Sequence, residues 1–442
     1  MCGICGFTGY RQDQKTVIER MMKAIEHRGP DSEGSFCREK ITLGFRRLSI
    51  IDLEDGQQPM ESADGNLHIV FNGEIYDYKE LRAELETFGI SFCTHSDTEV
   101  LVNTLQQYGE KALDKLRGMF GFAVWNEKEQ TLMLARDFFG IKPVYYAEID
   151  GHFVFASEIK SILAFPGYER KVNQKALEQY LSFQYSPLEE TFFKGIYKLM
   201  PGHMLLYKNG SYEIKTYFKP KLTPGQWNHK TNMAQLRSQL SEILKDSVKH
   251  HMLSDVEVGA FLSGGVDSGY LASSSGADQA FTVGFDEGDR YSEVNKAAKV
   301  AEKAGLKHHV KIISKQEFWD ALPDVMYHMD EPLGDASAVA LYFLSKEAAG
   351  HVKVVLSGEG ADELFGGYNI YREPEALKKV AWIPFRLRRA VRKLAAKLPD
   401  VKGRDFLIRA GMKVEERFIG NAYIYREKEK AQILKNKVTG PS

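Results

Sequence analysis

The sequence predicts two folds in series: an α+β layered sandwich over the first half, and an α/β doubly wound parallel sheet over the second. Three observations predict this. Short apolar runs from Gly118 to Ile162 alternate across polar turns, as antiparallel hairpins do. Beyond Asn232, strand-like and helix-like runs take turns, as βα units do. Between the two regions, Lys219–Lys230 breaks all periodicity and reads as a linker. The expected division is residues 2–218, a linker at 219–232, and residues 233–442.

Bulk properties narrow the function classes. A chain of 442 residues exceeds one ordinary core. With 43% hydrophobic and 27% charged residues it can bury its cores and stay in water. A net charge of -1 gives no general attraction to nucleic acid. No run is long and apolar enough for a membrane span, and Met1–Cys5 lacks the basic start of a signal peptide, so a cytoplasmic protein is expected. Cys2, Cys5, Cys37 and Cys93 are too few and too clustered to staple the chain and should be reduced. The sequence leaves a homo-oligomer open.

Taken in order, the chain opens with a glycine-rich extended stretch carrying Cys2 and Cys5. This C-x-x-C has neither a helix start nor a second ligand pair, which argues against redox or zinc use. If Met1 is removed, Cys2 carries a free α-amine that can accept its own thiol proton near neutral pH, so nucleophile and base share one residue. An ordinary cysteine near a terminus is the alternative. Ile41–Ile51 is strand-like, and in it Arg46 or Arg47 could grip a carboxylate in a forked pair or only solvate the strand. His68–Tyr76 reads as a strand ending at Asn72-Gly73, followed by a helix from Tyr78. That Asn-Gly pair is either a turn or an amide and an N–H placed to hold an oxyanion. Ser96 with Glu99 suggests an N-cap and capping box for a helix to Tyr108, which leaves Asp97 free to bind an amine. The pair Val144–Ile149 and His152–Ala156 flanks Asp150-Gly151, a strong hairpin signal.

In the second half, Leu236–Val248 has helical apolar spacing and leads into Val258–Ser268, an apolar strand, a small-residue turn and a helix start. Ser263, Gly264 and Gly265 would leave N–H groups free at that helix start, where an anion is favoured. No Lys follows, so this is not the loop of P-loop enzymes. Asp267 beside a phosphate implies a bridging cation. The bland alternative is a tight turn with glycines for geometry. Ala280–Phe285, His308–Ile313 and Val352–Leu356 read as further strands and Ser292–Ala304 as a helix. Ligands of such sheets lie beyond the carboxyl ends of the strands. The loop Ser357–Tyr368, with Glu359, Asp362 and Glu363 among glycines, repeats the logic of the first, and the two together suggest an ATP site with a phosphate-bridging cation. Lys378–Arg404 holds ten Lys/Arg and a single Asp, which reads as a solvated basic helix face rather than a nucleic-acid site.

On these motifs the sequence resembles the glutamine-dependent asparagine synthetases. Cys2-Gly-Ile-Cys-Gly6, His27–Asp31, Arg47–Ile51, Asn72-Gly-Glu74 and Asp97 resemble the glutaminase domain of class II amidotransferases, which has an N-terminal-nucleophile hydrolase fold. Ser263–Ser268 and Ser357–Tyr368 resemble a synthetase domain of the ATP pyrophosphatase type. The resemblance implies that Cys2 attacks the glutamine amide while Asn72 and Gly73 hold the oxyanion. It implies that Arg47, Leu48, Ser49, Ile50, Ile51, Glu74 and Asp97 bind glutamine, and that the released ammonia travels inside the protein. It further implies ATP contacts at Leu262, Ser263, Gly264, Gly265, Asp267, Ser268, Val283, Ser357 and Gly358, with Mg2+ at Asp267 and Asp362. Glu359 would assist formation of β-aspartyl-AMP from aspartate and ATP, and the attack of ammonia on it. Nothing from Pro374 to Ser442 matches the lysine-bearing segment that usually follows in the family, so the synthetase domain is expected to be shortened. A glutaminase, a glutamine- and nucleotide-binding protein, or an amidotransferase with another carboxylate acceptor are the rival readings.

Overall fold

The computed structural model describes residues 1–221, 232–286, 293–399, 401–417, 424–425 and 427–434. The chain begins β1 (Gly3–Thr8), α1 (Gln14–Ala24), β2 (Ser32–Cys37), β3 (Ile41–Arg47), β4 (Met60–Glu61), β5 (Leu67–Ile75), α2 (Tyr78–Thr87) and α3 (Asp97–Tyr108). It continues β6 (Gly118–Asn126), β7 (Thr131–Arg136), β8 (Tyr145–Ile149), β9 (His152–Ala156), α4 (Ile159–Leu163), α5 (Gln174–Phe183), β10 (Ile196–Lys198), β11 (His203–Lys208) and β12 (Ser211–Thr216). Then come α6 (Met233–His251), β13 (Val258–Phe261), α7 (Val266–Ser274), β14 (Gln279–Phe285), α8 (Val294–Ala304), β15 (Lys307–Ile313), α9 (Lys315–Asp320), α10 (Leu322–Met329), α11 (Ser337–Ala349) and β16 (Val354–Leu356).

The first twelve strands form two six-stranded antiparallel sheets, ordered β10-β8-β9-β1-β3-β2 and β12-β11-β7-β6-β5-β4. Side chains alternate across each strand, so one residue set packs between the sheets and the other against helices. In β1, Ile4 joins the inter-sheet core while Cys5 and Phe7 face α1 and α4. In β5, Val70 faces the other sheet while Ile69 and Phe71 pack with α2 and α3. The result is helices, sheet, sheet, helices, the layered sandwich expected. Asp150 and Gly151 both take positive φ (50° and 81°), as the two-residue hairpin requires.

Two local expectations change. β5 does not end at Asn72-Gly73: both residues pair within the ladder, opposite Gly121 and Phe120. Burial on both faces favours continuing the strand over turning there. Ser96 does cap α3 by accepting from Thr98 N, but Glu99 reaches past the cap to the N–H groups of Cys93 and Thr94 at 2.8 and 2.7 Å. Glu99 therefore closes the preceding loop instead of a capping box.

The four later strands form one parallel sheet, ordered β15-β14-β13-β16. Numbered within the sheet this order is 3-2-1-4, so the chain reverses direction of winding between β13 and β16, the switch point of a doubly wound sheet. In α6 the apolar spacing holds, but only Val248 is buried, and Leu240 and Ile243 are exposed. Of the expected linker, residues 222–231 lie outside those described, as does Ser292 of the helix expected at 292–304.

Contacts divide the chain into two compact units. One comprises Met1–Ala176, Leu188–Glu331 and Ala336–Ser357, and so holds both sandwich and parallel sheet. The other comprises Leu177–Pro187, Pro332–Asp335 and Gly358–Ser442. In this second unit the basic run is partly the helix Phe385–Ala395, where Arg388 bonds the carbonyls of Ile383 and Ala410 and Arg392 pairs with Glu416. These are internal partners of an otherwise exposed helix.

Candidate active site

The loop after β3 and the end of β5 enclose a small cavity of about 30 Å3 beside Cys2. Cys2, Arg47, Leu48, Ile50 and Ile51 are on its wall. Gly73, Glu74 and Asp97, also brought forward by the sequence, line it as well. Ser49 is not on the wall; its N–H donates to Asp31 at 2.9 Å and so shapes the loop. Phe45, Gly56, Gln58 and Phe71 are lining residues that the sequence did not single out.

The choice between Arg46 and Arg47 is made by their partners. Arg46 is engaged by Gly29 O, Glu33 and Glu26. Arg47 borders the cavity and also donates to the carbonyls of Leu53, Ile51 and Asp52, which sets the loop's curvature. Gly73 is dictated by space, because a Cβ there would lie 2.2 Å from Met119 O. Asn72 projects to the opposite side of β5 from the cavity-lining Phe71 and Gly73, the side of the inter-sheet core against which Cys2 packs. Its amide Nδ2 is buried and has no hydrogen-bond partner among the described residues. A buried donor left unmade costs stability, so such a group needs a functional account.

Charge in this pocket is poised rather than paired. Burial raises the Glu74 carboxyl well above its ordinary range, and the nearby Asp97 raises it further while Lys142 opposes. Burial pushes Asp97 up to about 6, although it accepts the Ile75 N–H at 3.0 Å. Lys142 is pushed down to about 8 by burial, with Glu74 pulling the other way. The Cys2 thiol is raised by burial and donates to Leu48 O at 3.6 Å. The N-terminal amine, here on Met1, is pushed down to about 5 by burial and so stands as a free base at neutral pH. Two acids short of a cation would welcome an ammonium group, while Arg47 offers a partner for a carboxylate. Together they suit a zwitterionic amino acid whose side chain points at Cys2.

Sequence reasoning assigned no role to Arg28, Glu158 or Lys142. Arg28 Nε donates to Cys2 O at 2.9 Å, and its Nη1 pairs with Glu158 at 2.7 Å. Only long-range strand pairing brings them together. The available signal was Arg28's place inside His27–Asp31.

In the parallel sheet, the Ser263–Ser268 loop follows β13 at the switch point. Gly264 has φ +76°, and a Cβ there would lie 2.8 Å from Ala297 N, so α8 leaves room only for glycine. Ser263 and Ser268 bond each other at 2.9 Å, and the Ser263 N–H donates to Ser268 Oγ. Gly265 caps α7, placing Asp267 in its first turn, exposed and with no hydrogen bond or ion pair among the described residues. Leu262 is buried and donates to Phe281 O. Val283 lies in the C-terminal half of β14, and Ser357 directly follows β16. Gly358, Glu359 and Asp362 belong to the second unit, Asp362 within the helix Ala361–Phe365. All four cysteines are free thiols.

Comparison with known proteins gives two family matches: residues 1–218 to the glutamine amidotransferase domain and residues 239–432 to asparagine synthase. Over 447 residues the chain is 44% identical to asparagine synthetase [glutamine-hydrolyzing] 1 of Bacillus subtilis (strain 168), covering 98% of this chain and 70% of that one. It is 38% identical over 462 residues to a putative asparagine synthetase [glutamine-hydrolyzing] of Mycobacterium tuberculosis H37Rv, covering 98% and 71%. It is 33% identical over 431 residues to a putative asparagine synthetase [glutamine-hydrolyzing] 2 of Methanocaldococcus jannaschii, covering 91% and 82%.

Proposed function

Because the chain belongs to the glutamine-hydrolysing asparagine synthetases, we propose that it moves the amide nitrogen of glutamine onto aspartate at the expense of ATP, using the residues described above. The observation that carries this reading is the single cavity on which Cys2 meets Arg47, Glu74 and Asp97. Arg47 takes the glutamine carboxylate, and Glu74 and Asp97 take its α-ammonium. With Met1 removed, the Cys2 amine accepts the thiol proton and the sulfur bonds to the amide carbon. The Asn72 amide and the Gly73 N–H hold the oxyanion. Collapse breaks the C–N bond, and the departing nitrogen takes the proton back and leaves as ammonia. Water then cleaves the thioester to glutamate.

The second reaction belongs to the parallel sheet. Leu262, Ser263, Gly264, Gly265, Ser268, Val283 and Ser357 surround the switch point and are assigned to ATP, the anion-seeking N–H groups at the start of α7 to its phosphates. The free carboxylate of Asp267 is a hard oxygen donor and fits Mg2+. When bound, Mg2+ would neutralise phosphate charge. The roles of Gly358, Glu359 and Asp362 rest on the sequence motif alone. Aspartate attacks ATP to give β-aspartyl-AMP and pyrophosphate, and ammonia displaces AMP to give asparagine. We assign the glutaminase domain to residues 2–218, the linker to 219–232 and the synthetase domain to 233–442. Free thiols, together with no described helix long and apolar enough to cross a membrane, accord with a cytoplasmic setting.

The test is a product assay with glutamine, aspartate and Mg-ATP. Equal amounts of asparagine, AMP and glutamate are expected. Glutamate alone would confine the activity to the first domain.

A further inference from the structure

Behind Cys2 runs a buried line of alternating charge that the mechanism above does not use. Arg28 holds the Cys2 carbonyl and pairs with Glu158. Glu158 also meets His27 at 3.0 Å and the ammonium of Lys160. Lys160 in turn meets Asp330 at 3.0 Å. The side chains of Arg28, Glu158, Lys160 and Asp330 are 7–9% exposed. Burial alone would raise the Glu158 carboxyl, but His27, Arg28 and Lys160 together hold it far below its ordinary range.

Asp330 comes from the other half of the chain. It follows α10 and sits at φ +61°, a conformation that non-glycine residues adopt only when their surroundings hold them there. Its second oxygen accepts the N–H of Ile159 at 2.7 Å, so it caps α4 from 171 residues away. Its neighbours reinforce the contact. Glu331 accepts the Phe192 N–H at 2.7 Å, the His328 ring lies 4.8 Å from that of His27, and Lys160 lies over the Tyr327 ring. The segment that Asp330 grips is itself bolted to the nucleophile strand: Ser157 Oγ accepts Ile4 N at 3.0 Å, and Ser157 N donates to Ile4 O at 2.8 Å.

Two routes therefore lead from Asp330 to the start of β1, one through Lys160, Glu158 and Arg28, the other through Ser157. We propose that Asp330 and Lys160 are positioning residues for the glutamine reaction: the end of α10 holds the Cys2 segment in its attacking position through this line of ion pairs. The proposal rests on the reading of Cys2 as nucleophile. None of the four groups lines the cavity beside Cys2, so the line acts on the placement of the sulfur and not on substrate grip. Misplacement of a reacting atom is costly even when binding is intact.

The test separates these quantities. Asp330→Asn keeps an oxygen for the Ile159 N–H and removes only the charge facing Lys160. We expect kcat for glutamine hydrolysis to fall about tenfold or more, the KM for glutamine to hold, and asparagine formation from added ammonium chloride to continue at the wild-type rate. Lys160→Met should behave alike, and Lys160→Arg should recover most of the loss. The double variant Lys160→Met with Asp330→Asn should lose no more than the worse single one, because both break the same link. If Asp330→Asn does not fold, the Lys160→Met and Lys160→Arg pair decides. Wild-type kcat in the variants overturns the proposal. So does an equal fall in the glutamine and ammonium reactions, which would mean general damage. Wild-type enzyme that forms no glutamate would overturn the underlying reading itself.

Discussion

Lys353 Nζ lies 2.7 Å from Asp31 Oδ2, and the same carboxylate oxygen accepts the Ser49 N–H at 2.9 Å. Lys353 immediately precedes β16, so a residue of the parallel sheet helps to hold the loop that forms the cavity wall. Asp255, just before β13, makes a second tie: its N–H donates to Ile50 O and its carboxylate accepts the Asp52 N–H at 2.8 Å. The loop of the cavity wall is thus anchored at the starts of two neighbouring strands of the sheet. Lys353→Met should raise the KM for glutamine about threefold, on the scale of one lost half-exposed ion pair worth under about 1 kcal/mol. Burial raises the Asp31 carboxyl, but its bonds to Lys353 and Ser49 outweigh that and leave it below its ordinary value. A depressed carboxyl contributes stability above its unfolded pKa of about 3.9 and loses it as pH falls through the folded value. Urea midpoints of wild type and Lys353→Met should therefore differ at pH 7 and converge toward pH 3. A gap that persists into acid would show that the pair is not its source.

Cys2→Ala should cut glutamate formation by roughly 10³-fold or more, as loss of a nucleophile does, and should leave ammonium-dependent asparagine formation intact. Intact-mass spectra of active enzyme should show Met1 removed. Protein in which Met1 is retained should be as inactive with glutamine as Cys2→Ala. Full glutaminase activity in the Met1-bearing form would refute the shared nucleophile and base.

Asn72→Ala is expected to separate activity from stability. Loss of one oxyanion donor costs about 10²–10³ in kcat. Because the Asn72 amide donor is already buried without a partner among the described residues, its removal should leave Tm unchanged or slightly higher. A large fall in Tm would mean that the amide serves the fold.

The cavity wall was largely legible because many of its residues fall in two short stretches, 47–51 and 72–74, with Asp97 beside them. Short-range pattern exposes such clusters. What stayed hidden came from pairing over distance. Glu158 lies 130 residues from Arg28, and only the neighbouring strands β1 and β9 bring them together. The Asn72-Gly73 turn signal failed for a related reason: local turn chemistry lost to a strand buried on both faces, where nine residues of β5 pair with β6. Glu99 misled because its spacing from Ser96 fits a capping box, whereas the bend at Cys93-Thr94 offered two unpaired N–H groups. The parallel sheet was easier. Apart from β15 its strands are short, mainly apolar runs between helices, and the glycine at 264 marks the turn at which α8 packs closest.

The pocket acids predict how glutamine should protect the fold. Their folded pKa values are raised by burial, Asp97 to about 6. Each therefore subtracts stability as pH rises from its unfolded value through its folded one. A bound α-ammonium group cancels that penalty, so the rise in Tm given by saturating glutamine in Cys2→Ala protein should be larger at pH 7.5 than at pH 5.5. Glu74→Gln should flatten the difference. An equal rise at both pH values would place the glutamine amine elsewhere.

Asp267→Asn tests the other end of the reaction with little risk to the fold. Asp267 is exposed and makes no hydrogen bond or ion pair among the described residues, so its loss should leave Tm within about 1 °C, as for surface changes worth under about 0.5 kcal/mol. If it holds the cation that bridges the phosphates, the KM for Mg-ATP should rise and asparagine formation should fall about 10-fold or more, the loss expected for a charge-assisted contact worth 1.5–3 kcal/mol. Glutamate release from glutamine alone should be untouched, because Cys2 and its cavity lie in the sandwich and Asp267 at the switch point of the sheet. Gly264→Ala should be worse, since it combines φ +76° with a Cβ 2.8 Å from the Ala297 backbone nitrogen. Moving that loop relative to α8 would displace the N–H groups at the start of α7, so both ATP consumption and asparagine should disappear together. Asparagine formation by Asp267→Asn at the wild-type rate over a full Mg-ATP titration would remove this residue from the ATP site.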